Sequence, residues 1–192
     1  RRQRQMCIRD SNAVRLLANT IATGAGLFVL ITAFANISGA HLNPFVSLSM
    51  YLTKRIKGKE LLTFIPAQIL GCLLGVMLAN VFFEHSIIEL STKNRDGFHI
   101  FLSEIVATFG LIFIIFATLK DGKTTVAACV ATYISAGYWF TSSTSFANPA
   151  VAIARTFTDS FTGINYLNTP TYIFAELLGA IAVSYTHLRA HE

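Results

Sequence analysis

The chain has 192 residues, with 15 Lys and Arg against 10 Asp and Glu for a net charge of +5, and it is 53% hydrophobic but only 13% charged. Charged content near half the roughly 25% of a soluble domain leaves too few ionisable groups to keep a surface wet, so a membrane protein is expected and a disordered tail protein is not. Three scattered cysteines give no disulfide framework, and Cys72 and Cys129 fall inside apolar runs where a thiol acts as small core filling.

Five apolar runs are long enough for spanning helices, which need about 20 residues. They are approximately 13–37, 61–83, 100–119, 124–140 and 171–188. The connector Tyr51 to Glu60 holds Lys54, Arg55, Lys57 and Lys59, and short Lys- and Arg-rich loops stay on the cytoplasmic side. That places 51–60 and 120–123 inside, and 84–99 and 141–170 outside, with six Lys and Arg inside against three outside.

The N-terminus conflicts with this alternation, because it leaves Arg1, Arg2, Arg4 and Arg9 on the wrong face. A preceding helix is therefore expected to be missing, and residues 1–11 (RRQRQMCIRDS) and 184–192 (SYTHLRAHE) are expected to be foreign tails, with the last helix truncated near Val183. The tails hold four Arg with Asp10, and Arg189 with Glu192, so residues 12–183 keep a charge of only +2. A nucleic-acid partner loses its support with that surplus.

Two stretches are too short to cross. Ser38 to Met50 (SGAHLNPFVSLSM) and Thr144 to Arg155 (TSFANPAVAIAR) each place Asn-Pro before about eight apolar residues. Asn is a favoured cap and Pro suits the first helical position, so short helices are expected to begin at Pro44 and Pro149. Irregular backbone at membrane depth is tolerated where it lines a cavity or is buried in protein. The two stretches enter from opposite faces, so their helix starts can meet in the middle.

The order helix, Asn-Pro half-helix, helix occurs twice, and Ala67-Gln68-Ile69-Leu70-Gly71 corresponds to Ala175-Glu176-Leu177-Leu178-Gly179. One membrane domain over 12–183 is expected, built from a first repeat at 12–83 that lacks its leading helix and a second at 100–183. Gly71 and Gly75 are spaced for close helix contact. An odd number of spans between the half-helices makes the repeats inverted, which places a site at the bilayer midplane.

The motifs His41-Leu42-Asn43-Pro44-Phe45 and Phe146-Ala147-Asn148-Pro149-Ala150, the first preceded by Ser38-Gly39-Ala40, resemble those of the aquaporin or major intrinsic protein family over about 12–183. The resemblance implies an all-α membrane fold with six spanning helices, five of them present here, plus two half-helices. It also implies a passive channel for small neutral solutes in a bilayer, a homotetramer with one pore per subunit, in a bacterial inner membrane, with no cofactor, metal or catalytic residue.

Each half-helix start carries about half a positive charge, so two meeting at the midplane oppose cations. Asn43 and Asn148 can both cap their helices and donate to a passing oxygen. Carbonyls of Gly39, Ala40 and His41, and of Ser145, Phe146 and Ala147, are expected to form an acceptor ladder on the pore wall. His41 lies near the cytoplasmic half of the pore or is a buried histidine satisfied by backbone. Phe45, where the family has Ala, faces either the other half-helix or the pore.

By resemblance, Glu104 braces the second loop by accepting from its backbone N–H groups, and Glu176 is read as helix packing. The outer selectivity filter transfers to Thr23, Ala136, Ser145 and Val151, with Val151 standing where most members have Arg. Arg155, one turn further, is expected to pair with Asp159 at i,i+4 or to cap the loop. These four residues make a wide filter that suits glycerol, urea, ammonia or undissociated metalloid hydroxides, and bacterial relatives with this Val are associated with arsenic handling.

An ion-coupled transporter also uses inverted repeats and broken helices, but it needs carboxylates clustered at the breaks, where only Glu104 and Glu176 are available. A truncated chain without function of its own is the third reading. No nucleophile, base and orienter set supports an enzyme.

Overall fold

A computed structural model of the chain describes residues 12–189. Seven α-helices occur among them: α1 (Asn12–Phe34), α2 (Pro44–Leu52), α3 (Gly58–Phe82), α4 (Phe98–Thr118), α5 (Lys123–Phe140), α6 (Pro149–Ala154) and α7 (Thr169–Arg189). Short 3-10 turns at Leu119–Asp121 and Arg155–Phe157 extend α4 and α6. The all-helical membrane fold agrees with the expectation from sequence, and the two short helices begin at Pro44 and Pro149. Residues 1–11, expected to be a foreign tail, lie outside the described residues. At the other end α7 runs unbroken to Arg189, with Ser184 buried and the His187 ring 4.4 Å from that of Phe116.

The segments Asn12–Phe34, Gly58–Phe82 and Phe98–Asp121 are long and apolar enough to span a bilayer by composition alone. Helices α5 and α7 are more polar: α5 buries Tyr138, and α7 buries Thr169, Tyr172, Glu176 and Ser184. The distribution of polarity is inverted relative to a soluble protein. Leu62, Leu70, Leu74 and Phe82 on α3 point outward, whereas Glu104, Thr108, Ser47, Ser143 and Glu176 are fully buried. In water that arrangement would expose apolar area at a cost of about 25 cal/mol per Å². In lipid the outward face costs nothing, and the buried polar groups are where the bundle must satisfy itself.

Elements that correspond in the sequence make corresponding contacts. Helix α1 lies against its repeat counterpart α5, α2 packs on α3 and α7, and α6 packs on α7 and α3. The two half-helices thereby sit between the two helices that end the repeats. Helix α4 packs chiefly on α7. Gly179 permits that approach, because a Cβ there would stand 2.5 Å from the Ile105 carbonyl and 2.9 Å from the Phe109 nitrogen.

Gly71, its counterpart in the sequence, has no such neighbour among the described residues. A Cβ at Gly71 or Gly75 meets nothing within 4 Å among the described residues. The small-residue face exists on α3, but no described helix occupies it.

This contrast is testable by a pair of substitutions. Gly179→Leu drives a side chain into the α4 backbone and is expected to destabilise the bundle by about 1–3 kcal/mol, read as a lowered unfolding temperature in detergent. Gly71→Leu in the same chain is expected to leave that temperature unchanged.

Candidate solute pathway

A cavity of about 670 Å³ runs through the bundle between the two half-helices. At one end Arg55, Glu60 and Lys123 line it, at the other Tyr138 and Arg155, and Asn43 and Asn148 lie between. The cavity wall includes Thr23, Gly39, Ala40, His41, Ser145, Phe146, Ala147 and Val151. Pro44, Pro149 and Ala150 are buried behind the asparagines. Phe45 is also buried in the main apolar core and lies off the cavity wall, which excludes the pore-facing alternative.

The two asparagines are bonded in the same way. Asn43 Oδ1 accepts from the Phe45 N–H at 2.9 Å and Asn148 Oδ1 from the Ala150 N–H at 3.1 Å, so each caps its own helix. Asn43 Nδ2 donates to the Ala147 carbonyl at 2.6 Å, and Asn148 Nδ2 donates to the Leu42 carbonyl at 2.9 Å. Each asparagine thus binds the carbonyl of the residue just before its counterpart. An amide NH2 has two donors, so one N–H of each side chain is left for the cavity that both line.

The loops leading to the asparagines share an unusual backbone. Gly39, Ala40 and Leu42 have φ of 75°, 48° and 50°, and Thr144, Ser145 and Ala147 have φ of 65°, 50° and 47°. Relative to each asparagine these are the same three positions, four, three and one residues before it. Left-handed conformation in non-glycine residues costs on the order of 1 kcal/mol or more each, so something must hold it. Gly39 relieves one position of the first loop; Thr144 has no such relief.

In the second loop two carboxylates supply the hold. Glu104 Oε1 accepts from the Phe146 N–H at 2.9 Å, and Oε2 accepts from the Ala147 N–H at 2.8 Å. Glu176 Oε1 accepts from the Asn148 N–H at 3.0 Å, a role that the packing assignment from sequence missed. Three successive N–H groups therefore face away from the cavity, and Pro149 has none to place. Both carboxylates are fully buried and lie outside the cavity lining. In the first loop Gln68, the counterpart of Glu176, donates instead to Ser47 Oγ at 3.0 Å, and Ser47 Oγ lies 3.1 Å from His41 Nδ1. The His41 ring also meets Phe64 edge-on at 5.4 Å.

Residues 4–187 match the family described as Major intrinsic protein. The chain belongs to that family. It is 46% identical over 170 residues to Aquaglyceroporin AqpS of Rhizobium meliloti (strain 1021), covering 88% of this chain and 73% of that protein. It is 27% identical over 177 residues to Aquaporin-4 of Bos taurus and 25% identical over 177 to Aquaporin-4 of Homo sapiens, covering 88% of this chain in each case. The chain spans about half the length of these aquaporin-4 relatives, 54% of each. As a member of the major intrinsic protein family it is an integral, multi-pass membrane protein of a channel family, not an enzyme.

Two expectations need correction, one for the filter and one for Arg155. Ala136 is exposed and off the cavity. Beyond Lys123 at its start, the α5 residues that reach the wall are Val126, Val130, Ile134 and Tyr138, one stripe at i,i+4 spacing. Ala136 lies about 200° around the helix from Ile134, so it points to the opposite side. Tyr138 takes the wall position, and its hydroxyl is 3.0 Å from Thr23 Oγ1.

Arg155 does not pair with Asp159. It lines the cavity, its guanidinium carbon lies 4.2 Å from the centre of the Phe146 ring, and Nη2 donates to the Tyr138 hydroxyl at 3.4 Å. Asp159 is engaged elsewhere, 3.2 Å from Lys93 Nζ and accepting the Thr92 N–H at 3.0 Å. That clasp ties the loop after α3 to the loop after α6, and Arg95 reinforces it by donating to the carbonyls of Gly163 at 3.0 Å and Phe161 at 2.8 Å.

Removing the brace is expected to be costly. Glu104→Ala leaves the Phe146 and Ala147 N–H groups buried without acceptors, a loss of about 2–5 kcal/mol. The expected result is a collapse of the unfolding temperature in detergent, with Glu104→Gln retaining part of it.

The loop clasp has a pH signature. The Thr92 N–H and then Lys93 hold the Asp159 carboxyl below its ordinary value of 3.8. A carboxyl depressed in the folded state stabilises fully above its unfolded pKa and loses that contribution as pH falls through the folded one. Asp159→Asn is therefore expected to be less thermostable than the parent chain at neutral pH, the two converging in acid below the ordinary Asp range.

Proposed function

We propose that the chain is the pore-forming part of a passive channel for water and small neutral solutes such as glycerol, urea or undissociated metalloid hydroxides. The observation that carries this reading is the pair of asparagines on one cavity wall, each with one amide N–H bonded across to the other loop and a second one not used by that bond. A neutral solute oxygen accepts from those donors at the level where the two half-helix starts face each other. Cations meet the positive ends of both half-helices at the same level, and a proton wire is interrupted where the donors fix the orientation of water.

The filter follows from the wall beyond the asparagines, with Thr23, Ser145 and Val151 contributing small side chains. Beside Tyr138 and Arg155, these small side chains leave room for solutes larger than water, in keeping with the name of the Rhizobium meliloti aquaglyceroporin. An ion-coupled mechanism finds no carboxylate on the cavity wall at the asparagine level, because Glu104 and Glu176 bond backbone behind it. The outward apolar faces suit a lipid bilayer, and a bacterial inner membrane and a homotetramer with one pore per subunit are proposed from the family resemblance.

The domain organisation completes the reading. Gly179 of the second repeat receives the backbone of α4, whereas its counterpart Gly71 stands open. A leading helix of the first repeat, seated on the Gly71 and Gly75 face of α3, fills that position by the internal symmetry. In a longer protein that carries such a helix, Gly71→Leu is expected to become destabilising. An unchanged unfolding temperature there would count against the assignment.

Stopped-flow light scattering on proteoliposomes of the protein, comparing water, glycerol and arsenite, tests the function. Solute flux well above empty vesicles and independent of a proton gradient is expected. Flux at the empty-vesicle level, or flux that follows the proton gradient, refutes it. Val151→Arg is expected to lower glycerol flux relative to water, and an unchanged ratio would remove Val151 from the filter.

A further inference from the structure

Beyond the asparagines, at the end of the cavity away from Lys54 to Lys59, the charged side chain on the wall is Arg155. Its backbone stands four residues after Val151, at the junction of α6 and the following 3-10 turn. In a helix the Cα–Cβ bond tilts toward the N-terminus, so a long side chain lies back over the preceding turn. Arg155 therefore reaches down over the level of Val151 toward the asparagines, and the small valine leaves that space open to it.

Three other elements hold the guanidinium there. Its plane is supported by the Phe146 ring at 4.2 Å, in the loop before α6. The Tyr138 hydroxyl on α5 accepts from Nη2 at 3.4 Å, and that hydroxyl lies 3.0 Å from Thr23 on α1. Phe146 is itself fixed, buried against Tyr172 with ring centres 4.9 Å apart. The carboxylate nearest in sequence, Asp159, is taken by Lys93 and Thr92. A guanidinium has five N–H donors, and the tyrosine uses one, so donors remain for an oxygen in the cavity.

We infer that Arg155, set by Phe146 and paired with Tyr138, is the fixed cation of this channel's outer constriction and determines its solute class. The inference rests on the channel reading above. The guanidinium repels cations that approach the half-helices and donates to the oxygens of hydroxylated neutral solutes, polyols or undissociated oxyacids. The Tyr138 hydroxyl offers a second polar group at the same level. Phe146 acts as a positioning residue, through the ring that keeps the cation against the wall.

The test uses proteoliposomes of the full chain, reading glycerol flux, water flux and proton leak, the last with an internal pH dye under a potassium diffusion potential. Arg155→Ala is expected to raise proton leak relative to glycerol flux on the order of tenfold, the effect of removing one unit charge a few ångströms from the path. Phe146→Leu should move the same ratio in the same direction by less, and Tyr138→Phe should lower the glycerol-to-water ratio with little change in leak.

The double variant Val151→Arg with Arg155→Ala returns a cation to the constriction and is expected to restore exclusion. A purely structural role for Arg155 predicts loss of all fluxes together and no rescue by that double variant. If Arg155→Ala does not fold, Phe146→Leu and Tyr138→Phe carry the test. Permeable parent vesicles with ratios unmoved in every folded variant overturn the Arg155 assignment alone, whereas parent vesicles impermeable to all solutes overturn the channel reading and this assignment with it.

Discussion

The structure depends on where three consecutive backbone N–H groups go. Those of Phe146, Ala147 and Asn148 end on two carboxylates, Glu104 and Glu176, that are fully buried. An extended loop at membrane depth has no water to satisfy it, and an unpaired N–H in lipid costs several kcal/mol. With those N–H groups turned outward, the loop residues present themselves to the cavity while non-glycine residues hold left-handed conformations. The two buried carboxyl groups are in turn stabilised in the interior by the backbone N–H groups they accept from. Loop and acids are each unfavourable alone and stable together.

Much of the architecture was legible in the sequence, for identifiable reasons. Asn-Pro is a cap followed by a residue suited to the first helical turn, so the starts at Pro44 and Pro149 follow from local chemistry. Apolar runs of about 20 residues mark the long helices, since lipid-facing sequence leaves few alternatives. Rotation about a helix axis was less legible. Ala136 and Tyr138 differ by two residues, and composition alone says nothing about which of them faces inward; the i,i+4 stripe from Val126 to Tyr138 was the available signal.

Arg155 and Glu176 show the other limit. An i,i+4 acid four residues after an arginine suggests an ion pair, but Asp159 finds Lys93 and Thr92 across a loop, 66 and 67 residues away in sequence. Glu176 lies in a helix whose counterpart in the first repeat has Gln68, and nothing local reveals that it accepts from Asn148. Side chains whose partners are set by tertiary contact, and not by helical spacing, stay hidden until the chain is folded. Gly71 and Gly179 make the same point from packing, since equal residues at equivalent positions have opposite surroundings.

The reciprocal bonds from Asn43 to the Ala147 carbonyl and from Asn148 to the Leu42 carbonyl have a consequence for biogenesis. Each half of the chain holds a donor whose acceptor is made more than a hundred residues later or earlier in translation. Until the second loop enters from its own face, the Asn43 Nδ2 lacks the carbonyl it bonds in the finished fold, although Oδ1 already caps its own helix. The completed contact therefore couples the two halves: each loop is fully bonded only when the other is seated beside it.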